Sequence, residues 1–408
     1  MKLSSSVLLT CGTLLQALST NADPVLEVTS LQHPGALHTL KDIERVRLHV
    51  EKGDQPWARA YQHLQAGSLA QPTRKPNPQQ IVVRGQGNAL PQNYATLYRD
   101  IHSAYQLALR YQISQDATYG AAAAGILDAW AATLQRLDGS ADRFLAAGIY
   151  GYQFANVGEL LVDFPGWPKA NQTAFGQMLN TVFATVSQDF LINHNGAPAH
   201  YYANWDLCNI AGLMAIGIFT DNTTMFNYAS AYFANGPAGG AVSFGALPFF
   251  SIANLTEAGS GKSLMQTQET GRDQGHTLLD FALLAVIGQQ GLSQGIDLFG
   301  LYGNQILAGS EYAAKYNVGE DVPYVPYKTF QGTFSVISNN SRSGNRPGFE
   351  GLYAHYATTK GLNASWTGMY RDQVNLMLPD NIEGGGGDYG TSSGGFDSLG
   401  HGTLMYRL

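Results

Sequence analysis

Residues 269–288 read ETGRDQGHTLLDFALLAVIG, a polar cluster that runs directly into the most apolar helical pattern of the chain. Within it, Leu279, Leu283, Val286 and Ile287 recur at spacings of three and four, the period of an α-helix with one buried face. Polar side chains concentrated beside a buried stripe commonly face a cleft or form a satisfied hydrogen-bond network. The stretch therefore predicts a helix whose N-terminal end carries functional groups.

The helical period extends well beyond this stretch. Two further stripes keep the same spacing: Leu97, Ile101, Tyr105 and Ala108, and then Leu127, Trp130, Leu134 and Leu137. Antiparallel helix pairs repeated over several hundred residues close into an α/α toroid, which buries one face of each helix and leaves a groove at one end. We therefore predict a mainly α fold, a toroid formed as a single domain by residues 23–408. From about Val322 onward the pattern loosens into a Gly-rich C-terminal tail, which we expect to hold short strands or to line the groove.

Composition narrows the class of protein. The chain has 408 residues, with 23 Lys and Arg against 30 Asp and Glu, so its net charge of −7 argues against a nucleic-acid partner. Charged residues make up 13% of the chain, about half of the ~25% usual in globular domains, and hydrophobic residues make up 44%. Disorder and coiled coil are therefore excluded, and a large packed core is expected.

The chain begins like an exported protein. Residues 1–22 combine Lys2, a mostly apolar run from Val7 to Leu15 and small residues before a cleavage point, the pattern of a signal peptide. No later stretch approaches the ~20 apolar residues that span a bilayer, so we expect a secreted, extracellular monomer without a membrane segment. Removing the signal removes Cys11 and leaves Cys208 alone, which excludes an intrachain disulfide or a thiolate metal site.

Five Asn-x-Ser/Thr triplets are glycan acceptors in a eukaryotic secretory route. They begin at Asn171, Asn222, Asn254, Asn339 and Asn363. Together with the signal they favour a secreted eukaryotic glycoprotein.

Two more clusters carry polar and aromatic side chains. Residues 199–206, AHYYANWD, stand directly before an apolar helix. A helix start presents Asn204 to a ligand, although capping of the helix by Asn204 or Asp206 explains the pattern equally well. Residues 346–356, RPGFEGLYAHY, bring an arginine close to two phenols, where plain packing is the alternative. In residues 269–276 the alternative is a structural network of Arg272 and Asp273.

At these residues the sequence resembles the alginate-lyase-like superfamily of polysaccharide lyases, in particular its fungal members that act on polyuronates. The resemblance covers nearly all of the mature chain, and several motifs in order carry it: HPGALH at 33–38, QPW at 55–57, AAGIYGYQFAN at 146–156, ANWD at 203–206, GRDQGH at 271–276, RPGFE at 346–350 and GGFD at 394–397.

The resemblance implies an incomplete α/α toroid and β-elimination at a uronic acid. It places at the catalytic centre an Asn, a His, an Arg and a Tyr, which match Asn204, His276, Arg346 and Tyr353, with Tyr356 as a rival for the phenol. The predicted substrate-binding groove residues are Gln153, Asn156, His200, Tyr202, Trp205, Arg272 and Tyr356.

The expected chemistry explains these residue types. Removing the C5 proton of a uronate builds negative charge on its carboxylate. The Asn204 amide, the His276 ring N–H and the Arg346 guanidinium can offset this charge. In mannuronate the C5 proton and O4 lie on one face, so Tyr353 can act as base and then acid. For guluronate, and likewise for glucuronate, we expect them on opposite faces, which calls for His276 as base and Tyr353 as acid.

We therefore predict a lyase that cleaves β-1,4-linked polyuronates, polymannuronate (alginate) or glucuronan, and leaves a C4=C5 unsaturated non-reducing end. The partner is thus an anionic polysaccharide. The ten His include no His-Glu-x-x-His motif, and the mechanism needs no metal or cofactor. Two alternatives stay open: a glycoside hydrolase with Asp206 and Asp273 as its carboxylate pair, and a non-catalytic carbohydrate-binding protein.

Overall fold

The computed structural model describes residues 27–86, 89–236 and 251–408. The predicted signal peptide, residues 1–22, lies outside these ranges. Within them the chain is mainly helical, as predicted. The helices are α1 (Leu40–Lys52), α2 (Trp57–Ala66), α3 (Tyr94–Ser114), α4 (Ala117–Thr133), α5 (Asp142–Glu159), α6 (Lys169–Met178), α7 (Thr185–Asn193), α8 (Asn204–Phe219), α9 (Thr223–Asn235), α10 (Gln274–Ser293), α11 (Leu301–Asn317), α12 (Phe349–Tyr353), α13 (Ser365–Met377) and α14 (Gly402–Met405).

Short strands form three two-stranded sheets in these ranges. The parallel pair is β1 (Ile81–Arg84) with β2 (Arg136–Gly139), and the antiparallel pairs are β3 (Ser251–Thr256) with β4 (Ser263–Thr267) and β5 (Tyr327–Thr329) with β6 (Gly332–Phe334). None of the helices in the described ranges has the length and apolar character needed to cross a bilayer.

The helices form an inner and an outer layer. In the inner layer α3 packs against α5, α5 against α8, and α8 against α10. Helices α5, α8 and α10 are buried along almost their whole length, which requires apolar or satisfied side chains on every face. Outside them, α4 packs on α3, α7 on α5 and α8, α9 on α8, and α11 on α10. The apolar residues of all three stripes seen in the sequence are buried in the core that these helices enclose.

Helices α5 and α8 approach each other almost backbone to backbone. A Cβ at Gly148 would lie 2.5 Å from the backbone carbon of Cys208, and a Cβ at Gly158 would lie 2.7 Å from the ring of Phe219. Because both contacts advance along the two chains together, α5 and α8 run in the same direction. Their N-terminal ends therefore lie at the same end of the inner layer.

One predicted helix ends earlier than its apolar stripe. Helix α4 stops at Thr133, and Leu137 lies in β2, paired with Val82. The backbone turns extended at Leu134, and Gln135 N–H then donates to the carbonyl of Gln80. Hydrogen bonding to the segment before β1 therefore replaces the last predicted helical turn.

The C-terminal tail holds the short strands β5 and β6, as predicted, and its tightly packed Gly-rich run from Gly384 onward has an isolated bridge between Gly385 and Gly400. A Cβ at Gly385 or Gly386 would lie 2.1 Å from a ring nitrogen of His401 or His102, so only glycine backbone fits against these buried imidazoles. This packing brings the following residues, 393–397, to the groove.

Candidate active site

A cavity of about 360 Å³ opens where the N-terminal ends of the inner helices meet. Leu145 lies in the first turn of α5, Asn204 is the first residue of α8, and His276 lies in the first turn of α10. Free N–H groups at helix N-termini carry partial positive charge, which favours an anion. The cavity is lined by Arg84, Leu145, Ile149, Asn204, Asp273, Gly275, His276, Leu279, Asn340, Ser341, Arg346, Ser393, Gly394 and Asp397.

Three of the four predicted catalytic residues, Asn204, His276 and Arg346, line this one cavity. They come from α8, from α10 and from the segment before α12, so only the folded chain brings them together. Asn204 is only 3% exposed, and its carbonyl oxygen has no hydrogen-bond partner among the described residues. A buried amide oxygen without a partner is costly, which indicates a side chain that pairs with a ligand.

His276 is held by Asp273. The Asp273 carboxylate caps α10 by accepting the backbone N–H of His276 at 2.8 Å, and it also accepts from ring Nδ1 at 2.7 Å. Bonding to a carboxylate requires the proton on Nδ1, so the neutral ring carries its lone pair on Nε2. The side chain is 34% exposed, and Nε2 is therefore able to meet a substrate.

Asp273 remains ionised beside this ring. Burial alone would raise the pKa of the Asp273 carboxyl, but hydrogen bonds from His276 and the positive charges of His276 and Arg272 outweigh it, and the pKa lies below its usual value. A carboxylate next to His276 stabilises the imidazolium that forms when Nε2 takes a proton.

Two arginines bring cations to the cavity. Arg346 donates from Nη1 to Asp397 Oδ2 at 3.2 Å, and Asp397 comes from the C-terminal tail. Arg84 is the last residue of β1. Its guanidinium lies 5.3 Å from the ring centre of Tyr94 and 5.5 Å from that of Tyr150. Ion pairing and ring contacts fix both guanidinium groups, so their charge is preorganised for an anionic substrate.

A second, smaller cavity of about 100 Å³, the side pocket, adjoins the first. Trp205 follows Asn204 in sequence, and Arg272 Nε lies 3.7 Å from Asp273 Oδ2, so the two cavities share a wall. The side pocket is lined by His200, Tyr202, Trp205, Glu269, Arg272, Phe330 and Gln331. Four of the predicted substrate-binding residues, His200, Tyr202, Trp205 and Arg272, thus lie together beside the catalytic cavity.

The structure corrects the position expected for both tyrosines. The ring of Tyr353 packs under the Arg371 guanidinium, 4.0 Å away, and against Gly368, where a Cβ would lie 2.6 Å from it. Tyr356 is fully buried and donates its hydroxyl to the carbonyl of Phe299 at 2.8 Å. Neither lines the catalytic cavity, and no tyrosine does so within the described ranges. Arg346 lies in the segment before α12, whereas Tyr353 is the last residue of that helix, so closeness in sequence does not bring the phenol to the guanidinium.

Two predicted groove residues are also corrected. Gln153 is fully buried and donates to the carbonyl of Phe396 at 2.9 Å. Asn156 is 3% exposed, accepts from Leu37 N–H at 2.8 Å and donates to the carbonyl of Tyr152 at 2.8 Å. Both hold the tail and the N-terminal segment onto α5, so contact with a polysaccharide is excluded.

Several residues of the two cavities were missed from the sequence. Asp397 stood in a motif that carried the resemblance, and its acidic side chain was the available signal. Asn340 and Ser341 belong to the glycan acceptor triplet that begins at Asn339, a motif that does not indicate a cavity, and nothing in the sequence marked Arg84. Phe330 is 48% exposed in a hairpin turn, and an exposed aromatic ring gives no distance information.

The hydrolase alternative loses its carboxylate pair. Asp206 is fully buried and binds His194 Nε2 at 2.7 Å and the Tyr232 hydroxyl at 2.9 Å, away from the cavity. Asp273 does line the cavity, but a general acid needs a raised pKa, and the pKa of Asp273 is lowered. In the described part of the chain, no group of three or more His, Cys, Asp or Glu side chains is arranged to hold a metal ion.

Comparison with known proteins agrees with this geometry. The sequence profile of the family described as alginate lyase matches residues 51–322, more than half of the chain. No curated protein sequence gives a significant match.

Solved structures share the fold. Alginate lyase A1-III from Sphingomonas species A1 is 15% identical, with a TM-score of 0.61 over 93% of this chain and 98% of that chain. A tyrosine-to-phenylalanine variant of alginate lyase A1-III complexed with a tetrasaccharide has a TM-score of 0.60 at 15% identity, over 93% of this chain and 98% of that one. An alginate lyase from Bacteroides ovatus is 12% identical, with a TM-score of 0.54 over 92% of this chain and 100% of that chain. The predicted α/α toroid is thereby confirmed. The chain belongs to the alginate lyase family and is a polysaccharide lyase.

Proposed function

We propose that this lyase cleaves β-1,4-linked polyuronates of the polymannuronate or glucuronan type by β-elimination, with His276 as the group that moves the proton. The observation that carries the proposal is the Asp273–His276 pair, oriented by two hydrogen bonds, in one cavity with Asn204 and Arg346. The alginate lyase relatives crystallised with a tetrasaccharide support a sugar chain as ligand.

The first requirement is to offset the charge of the uronate carboxylate. The Arg346 guanidinium and the Asn204 amide both line the cavity and can donate to its oxygens. These donors bind more strongly as the carboxylate takes on enolate character, so they lower the barrier to removal of the C5 proton. One such donor contributes about 2.7–4 kcal/mol to the transition state.

The second requirement is proton transfer. Nε2 of His276 takes the C5 proton. The electron pair of the C5–H bond stays on C5 as a carbanion that the neighbouring carboxylate stabilises. Asp273 stabilises the resulting imidazolium. The electron pair then forms the C4=C5 double bond as the C4–O4 bond breaks, and the imidazolium returns its proton to O4. His276 is thus neutral again at the end of the cycle.

The stereochemistry of the elimination follows from the use of His276 as the single proton carrier. The other acidic residues lining the cavity in the described ranges are Asp273 and Asp397, and both are engaged in ion pairs. A single group serves base and acid only when the C5 proton and O4 lie on one face of the ring. Mannuronate and glucuronate differ only at C2 and share this configuration at C4 and C5, so the expectation that grouped glucuronate with guluronate was wrong. Guluronate has the opposite configuration at C5. The site therefore favours the first two uronates.

We further propose that the protein is secreted and glycosylated. Asn254, Asn339 and Asn363 are exposed acceptor sites. Asn171 donates from its side-chain amide nitrogen to Asp128 at 2.7 Å, so a glycan on that nitrogen would compete with this contact, whereas Asn222 accepts from Met225 N–H at 3.0 Å through its oxygen, which a glycan leaves unmodified. Expression through a eukaryotic secretory route, with peptide mapping before and after glycan removal, tests export and occupancy together. Retention of the uncleaved N-terminus inside the cell would contradict the proposal.

The catalytic proposal is tested with the wild type and His276→Ala on polymannuronate and on glucuronan. Ultraviolet absorbance follows the conjugated C4=C5 product, and a reducing-end assay follows bond cleavage. Lyase activity gives both signals in the wild type and neither in the variant. Reducing ends without absorbance would indicate hydrolysis, and binding without either signal would indicate a lectin-like role.

A further inference from the structure

We propose that the side pocket is a terminal subsite, closed by the stacked rings of His200 and Phe330, so that the enzyme cuts polyuronate chains from one end. This inference rests on the proposed function and adds a mode of action to it.

The closing wall is a contact between two separate segments. His200 lies in the loop before α8, and Phe330 lies in the turn between β5 and β6. Their ring centres are 4.0 Å apart with planes 29° from parallel, and the Tyr202 ring meets Phe330 edge-on at 6.2 Å. Aromatic pairs in this geometry attract each other beyond their area burial. Two segments that line the pocket are thus joined by their rings.

The β5–β6 hairpin that carries Phe330 is hydrogen-bonded to residues 266–271, the segment before Arg272. Tyr327 accepts from Gly271 N–H at 2.9 Å and donates its hydroxyl to the carbonyl of Gln268. Val325 N–H donates to Gln266 at 2.8 Å just before β5. These bonds attach the hairpin to the segment that leads into Arg272, which makes Phe330 part of a positioned wall.

The interior of the pocket suits one uronate unit. Arg272, held 3.4 Å from Glu269 and 3.7 Å from Asp273, lines the pocket and is the cation that a uronate carboxylate would meet. Trp205 adds an aromatic ring to the lining. The side pocket has a volume of about 100 Å³ beside the 360 Å³ of the catalytic cavity. A chain whose last unit occupies the pocket meets the ring stack and cannot continue past it. Its next linkage then lies beside Asn204 and His276, so cleavage releases short fragments.

The test compares loss of viscosity with the number of bonds cut. We expect the wild type to raise ultraviolet absorbance steadily on polymannuronate or glucuronan while viscosity persists, with short products from the start. Phe330→Ala and His200→Ala remove the wall, and at an equal number of bonds cut we expect viscosity to fall several times faster, with longer products. Val336→Ala is the matched control, because Val336 follows the same hairpin, is 69% exposed and lies outside the pocket.

Two outcomes would overturn the terminal subsite. One is a wild type that lowers viscosity at the earliest turnover and forms a broad ladder of oligosaccharides. The other is a pair of wall variants that keep the short products of an end-acting wild type. Absence of absorbance on every polyuronate is a different result, because it refutes the proposed function itself.

Discussion

Asp273 binds His276 twice, accepting its backbone N–H at 2.8 Å and its ring Nδ1 at 2.7 Å. The same carboxylate therefore starts α10 and sets the tautomer of the ring. Helix capping and catalysis thus depend on one side chain. A substitution can separate them, because capping needs a hydrogen-bond acceptor at residue 273, whereas catalysis needs a negative charge there.

Asp273→Asn separates the two roles. Asn caps helices about as well as Asp, so we expect the free energy of unfolding to change little. The negative charge beside the imidazolium is lost, and the amide can pair with the wrong tautomer, so kcat should fall by about 10²–10⁴-fold with KM little changed. Steady-state kinetics and urea unfolding check both. A variant with near wild-type kcat would exclude Asp273 from proton transfer.

Tyr353→Phe should keep the wild-type rate. Its ring lies 4.0 Å from Arg371, outside the catalytic cavity, and the hydroxyl is not needed for that packing. Initial rates of absorbance increase measure this directly. A loss of about 10²-fold or more, the size expected for a general acid or base, would return the proton-donor role to Tyr353.

Gly148→Ala should destabilise the toroid. The new Cβ would lie 2.5 Å from the Cys208 backbone, so α5 and α8 must separate at a cost of about 1–3 kcal/mol or more. Gly125→Ala on α4 is the control, since nothing lies within 4 Å of its Cβ position, and we expect a gain of about 0.5–1 kcal/mol. Equal effects of the two substitutions in urea unfolding would contradict the close approach of α5 and α8.

His33 should stabilise the fold in a defined pH range. A hydrogen bond to Glu159, opposed by burial and supported by Asp221, raises the pKa of His33 to about 9 from 6.5. Since the folded state holds the proton more tightly, this stabilisation is complete below pH 6.5 and is lost as pH rises through about 9. The difference in Tm between wild type and His33→Gln should therefore shrink over that range. A difference that is constant from pH 6 to 10 would mean that His33 acts through packing alone.

The sequence predicted the helices better than the site. Apolar residues at spacings of three and four placed α3 and α10, although α10 is buried on nearly every face and not only on one. Leu137 kept the spacing but joined a strand through long-range pairing with Val82. Asn204 and His276 were predictable because each stands at the start of a strongly apolar helix. Tyr353 was misplaced because distance in sequence from Arg346 does not fix the direction of a side chain. Arg84 reaches the cavity only through the tertiary fold, which no local pattern reports.

The most direct test of the account is the initial rate of C4=C5 product formation by the wild type on polymannuronate, glucuronan and polyguluronate, at equal uronate concentration. With His276 as the single proton carrier, the rate should be highest on polymannuronate or glucuronan and should be lost on polyguluronate. Fastest turnover of polyguluronate would require a second proton carrier on the opposite face of the ring and would contradict the mechanism.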